Sequence, residues 1–288
     1  MKIALCNEVV AHMGFAEQCG FAADVGFDGL ELAPFTLGDW PHTLSEREVA
    51  GLRRTAAEAG ITITGLHWLL VAPPGLSITS ADANVRDATI DVVRRLIDLC
   101  AALGGRTMVH GSPNQRQLDP DDADGGRMRG EESFARIALH AEAAGITYCI
   151  EPLAREETSF VNTVEEAVGI VERVGSPALR TMIDARAAAL AETLPFAQLL
   201  DRWLPTRMVR HVHVNDRSKR APGQGEDRFA PALASLRRHA YDGVVAVEPF
   251  VYHPAGEAAA ARSIGYLRGI LETLAWQDDQ PVRTPDPT

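Results

Sequence analysis

The fold class predicted by this sequence is α/β, a single parallel (β/α)8 barrel, on three observations. Short apolar segments and helical segments alternate about eight times along 288 residues. The apolar segments are continuous runs with little polar alternation, the pattern of strands buried on both faces. Finally, metal-type side chains end four successive strand candidates: Glu151 after ITYCI, Asp184 closing LRTMID, His213 in MVRHVHV and Glu248 after VVAV. Their spacings are 33, 29 and 35 residues, about one strand–helix unit each. Only a parallel barrel brings every strand's C-terminal end to one rim. A doubly wound open sheet is the alternative, but it gathers four such residues less readily. The first strand candidate is also followed by CNEVVAHMG, which has no glycine-rich phosphate loop.

In chain order, the strand candidates are Lys2–Cys6, Asp28–Leu32, Ile61–His67, Arg106–His110, Ile146–Glu151, Leu179–Asp184, Met208–Val214 and Val244–Glu248. The first helix with clear signals is Ser45–Ala59, with Ser45 as N-cap and Glu48 at the capping-box position. Ala81–Leu103 is the longest, with Val85, Ile90, Val93, Ile97 and Cys100 near helical spacing. Glu131–Ala144, Thr163–Val174, Phe196–Trp203, Phe229–Ala240 and Gly256–Leu274 follow. Gly26, Gly60, Gly145 and Gly243 stand where a helix gives way to a strand. The segments AAEAGIT (56–62) and AEAAGIT (141–147) repeat that junction. Long loops are expected after strands three, four and seven: Trp68–Ser80, Gly111–Gly130 and Asn215–Asp227. All leave the C-terminal rim, where barrels build pockets. The barrel domain is expected to span residues 1–276. The polar, Pro-rich stretch 277–288 is read as a disordered tail.

Composition narrows the function. Apolar residues make up 46% and charged residues 23%, ordinary for a soluble globular chain, and the net charge is -11. That charge argues against nucleic-acid backbones and anionic membrane surfaces as partners. No run reaches the roughly 18 apolar residues of a membrane span. MKIALCNEVVAHMG lacks the features of a secretory leader. Cys6, Cys19, Cys100 and Cys149 are scattered, form no CxxC pair and read as reduced. A cytoplasmic location is therefore expected.

Three carboxylates and one imidazole converging on a rim repel unless a cation sits among them. Oxygen ligands with one nitrogen and no thiolate suit Mn²⁺, Mg²⁺, Co²⁺ or Zn²⁺. The metal set expected is Glu151, Asp184, His213 and Glu248. His211 shares a strand face with His213, one layer deeper, and reads as a barrel-core histidine. His67 and His110 also end strands and are candidates for substrate contact or for holding a second ion. Trp68, whose indole can stack on a ring, is a candidate for substrate contact.

The runs EPLAREETSFVNTVEEAVGIVERVGSPALRTMID, HVHVNDRSKRAPGQGEDRF and VAVEPF resemble the sugar-phosphate isomerase/epimerase-like TIM barrels. Ketose 3-epimerases, hydroxypyruvate isomerase and inosose dehydratase belong to that group. The resemblance covers most of the chain and is densest from Glu151 to Phe250. It implies one divalent metal, Mn²⁺ first, on the four residues above, with Glu151 and Glu248 also exchanging substrate protons. It further implies metal-assisted proton abstraction beside the carbonyl of a small ketose or keto-sugar, through an enediolate. Two carboxylates on opposite sides give epimerisation, whereas one acting on both carbons gives isomerisation. Glu157 matches a position contacting substrate hydroxyls. Lys219 matches a substrate-contacting arginine, a role that Arg217 or Arg220 can fill instead. One departure stands out. The family's ketose epimerases carry a histidine three residues after the metal aspartate, and here that residue is Ala187. His67, His110 or Arg186 is then expected to supply the missing donor.

A lyase or dehydratase is the second reading, because the same first proton removal can continue by expelling a leaving group. A DNA-repair endonuclease would need a richer ligand set and sits badly with the acidic charge. A non-catalytic sugar-binding barrel would leave the metal set without purpose. Association into a homo-oligomer is expected from the resemblance alone.

Overall fold

The computed structural model describes residues 1–278. Eight parallel strands close into a barrel in sequence order: β1 (Lys2–Cys6), β2 (Gly29–Leu32), β3 (Thr62–Leu66), β4 (Thr107–His110), β5 (Thr147–Ile150), β6 (Leu179–Asp184), β7 (Val209–Val214) and β8 (Val244–Val247). The barrel shuts where Leu5 of β1 pairs with Val247 of β8. Seven of the helices fall where the sequence places one: α2 (Glu46–Glu58), α3 (Ala83–Leu103), α4 (Ala123–Ala144), α5 (Val164–Val174), α7 (Phe196–Trp203), α8 (Ala230–Arg238) and α9 (Gly256–Asp278). Two more, α1 (Phe15–Val25) and α6 (Ala185–Ala191), were not anticipated. The stretch expected as a tail begins inside α9, and the remainder of it lies outside the described residues. Among the described residues no helix is long and apolar enough to cross a membrane.

The local signals act as their chemistry requires. Ser45 caps α2: its backbone N–H donates to Glu48 Oε2 at 2.7 Å while its hydroxyl accepts from the Glu48 N–H. That box satisfies two otherwise orphaned donors. Ser45→Ala should therefore cost about 1 kcal/mol. The check is a lower urea midpoint at unchanged slope. Gly104 closes α3 and Gly145 closes α4 in left-handed conformations.

One expected loop folds as helix. The loop expected over Gly111–Gly130 takes in residues 123–130, yet these are the first two turns of α4. Here the glycines act through their small size. A Cβ on Gly130 would meet Phe160 at 2.5 Å, so its absence lets α4 approach the β5 loop. Arg129 pairs with Asp122 at 2.8 Å and braces the helix start.

The core lies in two shells. Outward strand residues such as Ile3, Leu30, Leu66 and Val212 pack beneath the helices in one continuous apolar cluster. Inside the barrel the apolar filling is thin: Ala4, Cys6 and Ala246 on one side, Val109, Cys149 and Met182 on the other. Polar side chains fill the rest, and they lead to the site.

Candidate metal and catalytic site

Strand alternation decides which side chains enter the barrel. On β5, Cys149 points inward, so Glu151 does too. On β6, β7 and β8 the inward set is Met182 and Asp184, His211 and His213, and Ala246 and Glu248. One ligand atom from each of Glu151, Asp184, His213 and Glu248 lies within 4.8 Å of the others, and all four residues are buried. His213 Nδ1 is 2.9 Å from Glu248 Oε2 and 3.7 Å from Glu151 Oε1. The four residues expected from the sequence are thus brought together at the C-terminal rim.

Their positions are fixed by neighbours, several of which sequence reading missed. Asn215 donates through Nδ2 to Asp184 Oδ2 at 2.7 Å and to the Glu248 carbonyl at 3.0 Å. Its Oδ1 accepts from the Arg186 N–H. One amide thereby ties β6, β7 and β8 together. Asp184 also caps α6, with Oδ1 accepting from the Ala187 N–H at 2.7 Å. Ala187, where the resemblance implies a histidine, therefore contributes a backbone donor to the aspartate. Arg116, fully buried in the β4 loop, donates through Nη2 to the Glu151 carbonyl at 2.6 Å.

A chain of alternating carboxylates and imidazoles runs through the barrel. Glu8 accepts from His67 Nε2 at 3.0 Å, and His67 Nδ1 donates to Glu248 Oε1 at 3.0 Å. His213 links Glu248 to Glu31 at 2.9 Å on each side, and His211 Nε2 is 2.8 Å from the other Glu31 oxygen. His211 thus occupies the deeper layer, as expected. Glu31 is absent from the expected site residues, although a carboxylate between Leu30 and Leu32 within β2 was a readable signal.

The electrostatics follow from burial and neighbours. Burial and the adjacent Glu248 carboxylate push Glu151 well above the usual carboxylate range. The same two causes raise Asp184 to about 6. Burial works against ionised Glu248 as well, but His213 and His67 outweigh it and hold its pKa at about 2. Burial likewise opposes charge on His213 and His67, and the flanking carboxylates overcome it. Two carboxyls strained toward protonation beside a third that stays ionised form a donor set that a divalent cation would relieve. The residues present therefore fit one such ion.

The expected substrate contacts divide. His67 and Trp68 reach the cluster; Trp68 Nε1 donates to Glu248 Oε1 at 2.8 Å. Its ring lies between Phe35 and Phe250, with centroids 5.9 and 6.2 Å away, so the β2–β3 and β8 side of the mouth is aromatic. Glu157 sits over the β5–β6 side, paired with Arg186 Nη1 at 2.8 Å. His110 does not face the site. Inward Val109 and outward His110 alternate, and His110 packs among the outer residues, its Nδ1 2.6 Å from the Tyr148 hydroxyl and its ring edge-on to Phe134. Burial, with Arg116 nearby, lowers its pKa to about 3, so it is a neutral core imidazole. Arg217 is also spent elsewhere: its Nε and Nη2 both reach Asp227 Oδ1 at 2.7 Å in the exposed β7 loop. Lys219 is exposed, with φ at 69°, and its carbonyl anchors the Phe250 and Val251 N–H groups.

Known proteins resemble this chain along most of its length. Residues 19–270 match a family model described as the xylose isomerase-like TIM barrel. The D-psicose 3-epimerase of Agrobacterium fabrum is 30% identical over 233 residues, 80% of this chain and 77% of that protein. The ketose 3-epimerase of Arthrobacter globiformis is 26% identical, covering 88% of this chain and 83% of that one. A crystal structure of D-psicose 3-epimerase in the presence of D-fructose superposes with a TM-score of 0.81 at 25% identity, covering 94% of this chain and 99% of the other.

Proposed function

Given that the chain belongs to the xylose isomerase-like TIM barrel family and that its relatives are epimerases, we propose that it is a divalent-metal-dependent ketose 3-epimerase acting on a small ketose or keto-sugar. The observation that carries this reading is the pair Glu151 and Glu248. They are two buried carboxylates from strands three apart in the ring, converging with Asp184 and His213 on one point of the rim.

Glu151, Asp184, His213 and Glu248 would hold the ion, with Mn²⁺ expected first. When bound, it would polarise the substrate carbonyl and make the neighbouring C–H more acidic. The protein does the remaining work. Glu248, held ionised by His213 and His67, is the carboxylate ready to accept a proton. Glu151, on the strand three places away in the ring, is the carboxyl placed to deliver a different proton to the opposite face of the same carbon. Asn215 and the Ala187 N–H keep Asp184 oriented. Trp68 closes the aromatic side of the mouth over the sugar, while Glu157 and Arg186 offer acceptor and donor to its hydroxyls. Arg186 thus supplies a side-chain donor on the side where Ala187 has none.

Incubating the manganese-loaded protein with D-fructose, D-psicose and ribulose in D₂O tests the reaction. Deuterium entering at C3 with the carbon skeleton retained is the expected result. Loss of water would instead establish the lyase reading. Metal content tests the ligand set separately. Asp184→Asn and His213→Ala should each lower manganese retention after dialysis by about 10-fold or more. Elemental analysis unchanged from the unsubstituted protein would show that the ligands are misassigned.

A further inference from the structure

A second group of ligand-type side chains lies beside the first. Cys6 closes β1, Glu8 stands in the 3-10 turn Asn7–Val10, His67 follows β3 and Glu248 follows β8. One ligand atom from each lies within 4.8 Å of the others. Cys6 is a buried free thiol, and the His67 and Glu248 side chains are almost fully buried. Glu8 keeps 10% of its side chain exposed and gives the group an opening toward the mouth. Glu248 belongs to both groups because its two oxygens face different partners. Oε2 lies 2.9 Å from His213 Nδ1, and Oε1 lies 3.0 Å from His67 Nδ1.

We propose that Cys6, Glu8, His67 and Glu248 form a second divalent-cation site, bridged by the Glu248 carboxylate to the Glu151–Asp184–His213 set and selective for a thiophilic ion such as Zn²⁺ or Co²⁺. The donors are one sulfur, one nitrogen and two carboxylates, a set matched to tetrahedral Zn²⁺. The first set has no sulfur and suits a harder ion, so the two sites differ in preference as well as position. A carboxylate shared between adjacent ions is a common way to hold such a pair. The deeper grouping of Cys6, Glu31, His67 and His213 fits less well. Its Glu31 already faces His211 and His213 at 2.8 and 2.9 Å, and His213 Nδ1 is directed at the first set. Without an ion, a proton on His67 holds Glu8 and Glu248 together, and the experiment separates that arrangement from metal binding.

The full chain is stripped with chelator, dialysed against Co²⁺ or Zn²⁺ and analysed for bound metal. The expected content is about two ions per chain, falling to about one in Cys6→Ser and in Glu8→Gln. Asp184→Asn also falls to one, by loss of the other ion. With Co²⁺, the unsubstituted protein and Asp184→Asn should show a near-ultraviolet thiolate-to-cobalt charge-transfer band that Cys6→Ser lacks. Cobalt bound without that band overturns the second site. A single ion that survives Cys6→Ser and Glu8→Gln but is lost in Asp184→Asn overturns the second site and leaves the first standing. A single ion with the converse pattern supports the second site and removes the first. No bound ion in any of these proteins overturns both.

Discussion

Glu151→Gln and Glu248→Gln should each lower epimerase turnover by about 10²–10⁴-fold, the usual worth of a positioned acid or base. The two variants should differ in everything else. Among the carboxylate partners of His213, Glu151 is the distant one at 3.7 Å, and Arg116 holds its backbone. Removing its charge takes away a proton carrier but leaves the hydrogen bonds around it in place, so the melting temperature should barely move. Glu248 accepts from His213, His67 and Trp68. A glutamine there keeps one acceptor oxygen and turns an N–H toward a ring nitrogen that also carries hydrogen. The stability cost should be on the order of 2 kcal/mol. Steady-state kinetics with D-fructose and a thermal melt on each variant check both halves. Normal turnover in either would remove that residue from proton transfer. Equal melting temperatures would show that Glu248 is not the hub of the buried chain.

Gly111→Ala should cost about 10²-fold in turnover although it adds one methyl group to a residue with no functional atom of its own. A Cβ at this position would stand 2.2 Å from Glu151 Oε2 and 3.4 Å from its Cδ. The carboxylate has to retreat by about 1 Å, enough to spoil a proton-transfer geometry to that degree. The substitution lies after β4 at the rim, outside the main apolar core, so the fold should persist. Circular dichroism beside kcat separates the two effects. Unchanged turnover would mean that Glu151 has room to swing clear and that its close seat against Gly111 is incidental.

The fold and the principal cluster were legible because both follow from regular periodicity. Continuous apolar runs at even spacing mark the strands, and strand ends mark the rim. What escaped was set by tertiary contact. α1 carries Gly20 in its interior and has only Gly14 as its N-cap. α6 is capped by Asp184, a residue whose metal-type chemistry hid its role as a helix start. The first turns of α4 look like loop until Phe160 is seen pressing on Gly130. At the site, His110 and His67 look alike in sequence, each ending a strand. Yet His67 enters the barrel and His110 faces the helices, because β4 carries Val109 inward. Basic residues of the β7 loop looked available for substrate until Asp227 was found holding Arg217. Asn215, an amide just after β7, announces no chemistry alone; its importance is in the Asp184 carboxylate and Glu248 carbonyl that it holds.

The carboxylate–imidazole chain from Glu8 to His211 also constrains how such a sequence drifts over generations. Its inner members have almost no access to solvent, so replacing one strands a polar neighbour that water cannot rescue. A lineage can cross this region only by exchanging adjacent members together, an acid with its imidazole, or by first weakening the bond between them. Glu31, His211 and His213 should therefore be inherited as a block.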